Sequence, residues 1–194
     1  MISAIILAAG KSTRMGFPKL MLTIKGKGLL QHVIDNVLKS KVDDVIVVLG
    51  AEAEKLRKEI DPSKARIIVN PSFNEGQSTS LKAGLRSISP ESQAVIILLG
   101  DQPFINDATV DALMDKYLES GSPVVAPVYN GKRGNPVLFD RSLIPELINA
   151  SGDKGGRTIV EKYTDRMATV EIDSSSIGID IDTWDDYQKI SRLF

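Results

Sequence analysis

The sequence predicts an α/β protein: a single domain over residues 1–194, built on a Rossmann-like, mostly parallel sheet flanked by helices. Three observations carry this expectation. Apolar runs of strand length alternate with amphipathic stretches of helix length, the pattern of βαβ units. The first apolar run ends in a loop crowded with glycines and cations, at the place where open α/β sheets bind ligands. The 194 residues contain no repeats, low-complexity tracts or linkers that would divide them.

The elements follow in order. Residues 2–7 read as a buried strand. Residues 29–40 read as a helix, with Leu30, Val33, Ile34, Val37 and Leu38 on one face. Asp44–Leu49 is a second strand, ending at Gly50, and residues 53–60 form a charged helix stopped near Pro62. Residues 65–69 are a third strand and 78–87 a helix. Ala94–Leu99 is the most apolar strand and runs into Gly100-Asp101. Asp107–Ser120 is a helix. Residues 124–128 and 136–139 read as strands around a turn at 131–134, an antiparallel excursion. Residues 142–150 and 155–163 are helical, 168–172 is a strand, and Trp184–Leu193 closes the chain as a helix.

Composition narrows the function. Charged residues make up 25% and apolar residues 42%, ordinary values for a globular protein. A net charge of −1 gives no basic field for nucleic acid or a membrane surface, and 5% aromatics offer few platforms for stacked bases. The absence of cysteine excludes disulfides, thiolate catalysis and thiolate-held metals, and it fits a cytoplasmic address. With one histidine and no cysteine, a His-based triad or a zinc hydrolase is disfavoured. The N-terminus carries no signal-like region, and no apolar run approaches the roughly 20 residues that span a bilayer.

The loop after the first strand carries the most chemistry. It reads Leu7-Ala8-Ala9-Gly10-Lys11-Ser12-Thr13-Arg14-Met15-Gly16-Phe17-Pro18-Lys19. Glycines allow close backbone approach, and Lys11, Arg14 and Lys19 supply positive charge, so polyphosphate binding is expected. The spacing matches neither a Walker loop nor a dinucleotide fingerprint. Asp101 follows a central strand, where a carboxylate faces the ligand crevice and suits Mg²⁺; capping of the next turn is the alternative. Asp180 and Asp182 alternate in an extended segment and can share a face, although Asp182 can also cap the last helix. Asp185 and Asp186 read as surface charges that complement that helix's dipole. Residues 74–80 precede a helix, a place for an anion, a base edge or a plain Ser/Thr cap. The loops Arg133-Gly134-Asn135-Pro136 and Ser151-Gly152-Asp153-Lys154-Gly155-Gly156-Arg157 suit a phosphorylated acceptor or ordinary turns. His32, inside a helix, reads as structural, and Trp184 reads as packing.

The glycine–cation run resembles the signature loop of the nucleotidyltransferases that make molybdenum-cofactor dinucleotides, and more broadly of sugar-phosphate nucleotidyltransferases. The motifs occur in family order between residues 5 and 187. Ala8-Ala9-Gly10 is similar to the cytidylyltransferase branch. The resemblance implies a fold of the nucleotide-diphospho-sugar transferase type. It further implies CTP as donor, molybdopterin or molybdenum cofactor as acceptor, Mg²⁺ as cofactor, and a recipient molybdoenzyme as partner. Gly100-Asp101-Gln102-Pro103 resembles the second motif, which makes Asp101 a magnesium ligand, with Asp182 completing the site. Gly76, Ser78, Ser80, Leu81, Lys82, Ala83, Gly84 and Leu85 match the run on the base and ribose side. The implied nucleotide contacts are Ala8, Ala9, Gly10, Lys11, Ser12, Arg14, Lys19, Gly76, Ser78, Ser80 and Asn135, and the implied catalytic set is Arg14, Lys19 and Asp101. Asn135 stands where many members have His, and Gly156 where Ala is common. A sugar or polyol phosphate acceptor, use of GTP or UTP, and a non-catalytic cofactor-delivery chaperone are the alternatives.

Overall fold

A computed structural model of the chain describes residues 1–10, 15–61, 63–150, 152, 156–173 and 181–193. The strands are β1 (Ile2–Ala8), β2 (Thr23–Ile24), β3 (Lys27–Gly28), β4 (Asp44–Leu49), β5 (Arg66–Val69), β6 (Ala94–Leu99), β7 (Val124–Tyr129), β8 (Lys132–Arg133), β9 (Val137–Asp140) and β10 (Met167–Glu171). The helices are α1 (Leu29–Val37), α2 (Ala53–Glu59), α3 (Gln77–Leu85), α4 (Asp107–Ser120), α5 (Ile144–Asn149), α6 (Arg157–Lys162) and α7 (Trp184–Leu193).

The main sheet has the order β10-β7-β9-β6-β1-β4-β5, with β8 paired to β7. β1 runs parallel to both β4 and β6. Only β9 opposes the other strands of that order, pairing antiparallel with β6 and β7, so the expected antiparallel excursion is present. The sheet is therefore mixed but predominantly parallel, as expected. No helix among the described residues is long and apolar enough to cross a membrane.

Both sheet faces are covered. Ala4, Ile6 and Ala8 of β1 face Leu30, Val33 and Val37 of α1, together with residues of α2 and α4. Ile5 faces Leu81 and Leu85 of α3, with residues of α5 and α6. This two-sided burial explains why the strands read as unbroken apolar runs. The direction of travel explains the faces taken by the first three helices. α1 and α2 lie on one face while the chain steps outward from β1 to β5, and α3 lies on the other as it returns across the sheet to β6. A reversal of direction demands a change of face when crossovers keep one hand.

The differences from expectation are local. The first helix stops at Val37, and residues 38–40 close in tighter turns, with Ser40 Oγ donating to Val37 O at 2.6 Å. The stretch 142–150 divides into a 3-10 turn, Arg141–Leu143, and α5, because Asp140 accepts from Ser142 N at 2.8 Å and Pro145 starts the helix. The hairpin β2–β3 was not expected. Lys25 and Gly26, both with positive φ, turn two strands too short to leave an alternation signal.

Candidate active site

The parallel strands deliver their C-terminal ends, and the loops that follow them, to one edge of the sheet. The order reverses at β1, between β4 and β6, which puts the ligand crevice at the ends of β1 and β6. The backbones come close there. Gly100 N donates to Leu7 O at 2.9 Å, and a Cβ on Gly100 would stand 3.1 Å from both Ala8 Cβ and Leu30 Cδ1. A Cβ on Gly50, at the end of β4, would stand 2.7 Å from Ala9 O. Ala8 and Ala9 are thus seated in the fold, while Gly10 is exposed with open space around its Cα.

Three predicted residues meet at this crevice. Lys19 begins a 3-10 turn, Lys19–Met21, anchored by Met21 N donating to Pro18 O at 2.9 Å. Its Nζ lies 2.5 Å from Asp101 Oδ2 and donates to Asp182 Oδ1 at 2.8 Å. Burial alone pulls the Lys19 ammonium down, but the Asp101 and Asp182 carboxylates outweigh it and hold its pKa above the usual lysine value. The side chains of Lys19 and Asp101 are 14% and 17% exposed and that of Asp182 is 41% exposed, so the bridge is reachable from solvent at one end.

Asp182 reaches this point from far along the chain by two fastenings. Ile181 N donates to Asp101 O at 3.3 Å, and Ile181 joins Met15, Leu22, Ile24, Leu29 and Ile190 in a small core apart from the two sheet faces. Tyr187 OH donates to Thr23 O at 2.6 Å. Asp182 is not the helix cap. Thr183 Oγ1 accepts from Asp186 N at 3.1 Å, and Asp186 Oδ2 accepts from Thr183 N at 2.9 Å. This reciprocal capping box corrects the reading of Asp186 as a mere surface charge. The Thr183 hydrogen bonds hold the Asp186 carboxyl below the usual range.

The segment before α3 is built around Asn70, which sequence reasoning missed. Asn70 is 4% exposed; its Nδ2 donates to Thr79 Oγ1 and Ser80 Oγ, each at 2.9 Å, and its Oδ1 accepts from Ser72 N at 3.0 Å. Asn70 directly follows β5, and a buried polar residue at a strand end was the available signal. Gly76 has φ 107° and ψ 164°, a conformation open to glycine. Ser78 and Ser80 are each 3% exposed. Both are expected nucleotide contacts; Ser80 Oγ accepts from Asn70 and so serves that network. Gly84 has a packing reason, since a Cβ there would stand 2.7 Å from Ile5 Cγ2.

Asn135 lies on the same edge. The β6–β9 register pairs Ile97 with Val137, and its continuation brings Asn135 level with Leu99. Tyr129 OH donates to Asn135 O at 2.7 Å, and a Cβ on Gly134 would strike the Tyr129 ring at 2.6 Å. His32 Nε2 is 2.9 Å from Ile24 O, a contact that ties α1 to the β2–β3 hairpin and agrees with a structural role. Trp184 packs against the Phe17 and Tyr187 rings, as a packing role implies, yet stays 47% exposed. Lys11, Ser12, Thr13 and Arg14, residues 151 and 153–155, and Asp180 lie outside the described residues.

The donor set fits Mg²⁺. Two carboxylates converge on a single ammonium, so their oxygens already face one cationic point. Among the described residues no cluster of three or more His, Cys, Asp or Glu side chains could hold a metal. Two carboxylates completed by substrate phosphates is the usual provision for Mg²⁺.

The model of the MobA-like NTP transferase domain matches residues 4–167, which include β1, Lys19 and Asp101. The chain belongs to the MobA-like NTP transferase family. It is 30% identical to the molybdenum cofactor cytidylyltransferase of Escherichia coli (strain K12) over 190 residues, covering 96% of this chain and 93% of that one. It is also 27% identical to nicotine blue oxidoreductase of Paenarthrobacter nicotinovorans, covering 94% and 92%. Among solved structures, Rv0371c of Mycobacterium tuberculosis H37Rv in complex with manganese superimposes with a TM-score of 0.86 at 26% identity, covering 100% of this chain and 99% of that one. Membership supports nucleotidyl transfer from a nucleoside triphosphate to a phosphorylated acceptor. Relatives with differently named activities leave the base and the acceptor to be argued.

Proposed function

We propose that this family member transfers CMP from CTP to the phosphate of molybdopterin or molybdenum cofactor, releasing pyrophosphate. The observation that carries nucleotidyl transfer is the Lys19 bridge to Asp101 and Asp182 at the ends of β1 and β6. The cytidine and molybdopterin assignments draw support from Ala8-Ala9-Gly10 and from the 30% identical cytidylyltransferase.

Lys19, Gly10 and the backbone at Ala8 and Ala9 hold the triphosphate, joined by Lys11, Ser12 and Arg14. Asp101 and Asp182 would hold Mg²⁺, which supplies charge neutralisation at the α-phosphate and leaving pyrophosphate when bound. Gly76 and the helix start it opens, braced by Ser78 and Ser80, take the base and ribose through the backbone. Asn135 takes the acceptor side. The acceptor phosphate oxygen attacks the α-phosphorus in line; a P–O bond forms, and the bond to the β-phosphate's bridging oxygen breaks. An acceptor phosphate is ionised near neutral pH, so no residue needs to remove a proton. Lys19 keeps its own proton, because the two carboxylates stabilise its charged form.

The test is pyrophosphate release from CTP, GTP, UTP and ATP, each with molybdopterin, its metal-loaded form, or a sugar or polyol phosphate. Release with CTP and a molybdopterin acceptor alone is expected. Release with GTP or UTP reassigns the base, and release with a sugar phosphate reassigns the acceptor. Nucleotide binding without release from any pair points to the cofactor-delivery chaperone.

A further inference from the structure

Two large aromatic side chains stand half in solvent beside the Lys19 bridge. Phe17 is 42% exposed and Trp184 47%, and their ring centroids are 6.4 Å apart. They belong to the same two chain segments that the bridge joins: Phe17 is two residues before Lys19, and Trp184 is two residues after Asp182. Two residues of chain span at most about 7 Å, so the rings lie at the rim of the phosphate-binding crevice.

The tryptophan is held in place. Tyr187 meets it edge-on at 6.0 Å, and the Tyr187 hydroxyl is itself fixed to Thr23 O at 2.6 Å. Trp184 also opens α7 inside the Thr183–Asp186 capping box. On the other side, Pro18 restricts the backbone of Phe17. Apolar rings that could have entered the small core next to them are instead braced outside it, which leaves favourable burial unrealised in the isolated chain.

The size of the patch selects its occupant. The exposed large apolar side chains among the described residues are Met1, Phe17, Val69, Leu118, Trp184 and Leu193. Leu193 is nine residues further along α7, about 13 Å away along the helix axis. Two rings fall well short of the roughly 800 Å² per partner of a stable protein interface, but they suit one planar ring system. A ring seated there keeps a short phosphate-bearing substituent within reach of Lys19. Resting on the function proposed above, in which the α3 start takes the nucleobase, we propose that Phe17 and Trp184 form the stacking platform for the planar heteroaromatic ring of the acceptor.

Trp184 is the only tryptophan, so its fluorescence reports on the platform directly. The experiment titrates the wild type, Trp184→Ala, Trp184→Phe and Phe17→Ala with 6-hydroxymethylpterin and, separately, with CTP. Affinities come from calorimetry, and emission from the wild type. Expected is quenching by the pterin and not by CTP. Trp184→Ala and Phe17→Ala are expected to weaken pterin binding about tenfold, the loss that removing one stacking partner gives. Trp184→Phe is expected to restore most of it, and CTP affinity is expected to stay within about twofold throughout. Unchanged pterin affinity in the folded alanine variants, an equal loss of CTP affinity, or no pterin binding by the wild type overturns the platform. Pyrophosphate release with CTP and molybdopterin by the wild type separates the two failures: release that persists while the platform fails leaves the function standing.

Discussion

The two ends of the central sheet use similar residues for different ends. At the N-terminal edge, Ile2 N donates to Asp43 at 2.7 Å, Ser3 and Ser92 share a buried hydrogen bond of 2.6 Å, and Asp44 pairs with Arg66 through its Nε, at 3.1 Å, and its Nη2. The Asp44–Arg66 pair joins neighbouring strands β4 and β5, one carboxylate to one guanidinium. At the C-terminal edge two carboxylates meet one lysine, and the partners Lys19 and Asp182 are separated by 163 residues. Gathering distant groups around one cation serves a ligand more than it serves the sheet. Ties between neighbours hold the frame, and convergence at the opposite edge makes the candidate site.

The contrast can be broken or sharpened by substitution. The largest expected effect is Lys19→Met, which removes the cation common to both carboxylates; turnover is expected to fall about 100-fold or more in a nucleotide-transfer assay. Gly84→Ala drives a methyl toward Ile5 Cγ2, and chemical unfolding is expected to show a loss of about 1–3 kcal/mol with turnover per folded molecule nearly unchanged. Thr183→Ala removes the α7 cap for about 1 kcal/mol, read as a melting point lower by about 2–4 °C. It also loosens Asp182, so the KM for nucleotide is expected to rise. The smallest effect concerns pH. A raised lysine pKa adds stability that is fully present below the ordinary lysine value and fades as pH climbs through the higher folded one. The stability difference between wild type and Lys19→Met is therefore expected to stay flat from about pH 6 to 9 and to shrink only in strong alkali.

Much of this was legible in the sequence. The strands covered on both faces, β1, β4 and β6, announced themselves as apolar runs, and Asp107–Ser120 and Trp184–Leu193 matched their predicted bounds because caps and punctuation agree with periodicity there. Asp101 drew notice by its place just after β6, and Lys19 by its place in the glycine–cation run. Other features rest on tertiary contact. Asn70 carries no periodic signal, and only the fold places Thr79 and Ser80 against it. Ser78 and Ser80 matched a ligand-contact motif, and only the fold shows that both are buried, with Ser80 in the Asn70 network. Trp184 read as packing, and it does meet Tyr187 and Phe17, but one side stays open. Its exposure depends on how α7 docks through Ile190 and Tyr187.

One comparison tests the account most directly: Asp101→Asn against Asp44→Asn, the same change at opposite ends of one sheet, with pyrophosphate release from CTP and thermal unfolding measured on both. Asp101→Asn is expected to lose about 100-fold or more in turnover and, because Lys19 keeps Asp182 as a partner, no more than about 1 kcal/mol of stability. Asp44→Asn is expected to lose about 1 kcal/mol of stability and keep its turnover. Transfer by Asp101→Asn at the wild-type rate, or abolition of transfer in a folded Asp44→Asn, would contradict the placement of the site at the ends of β1 and β6.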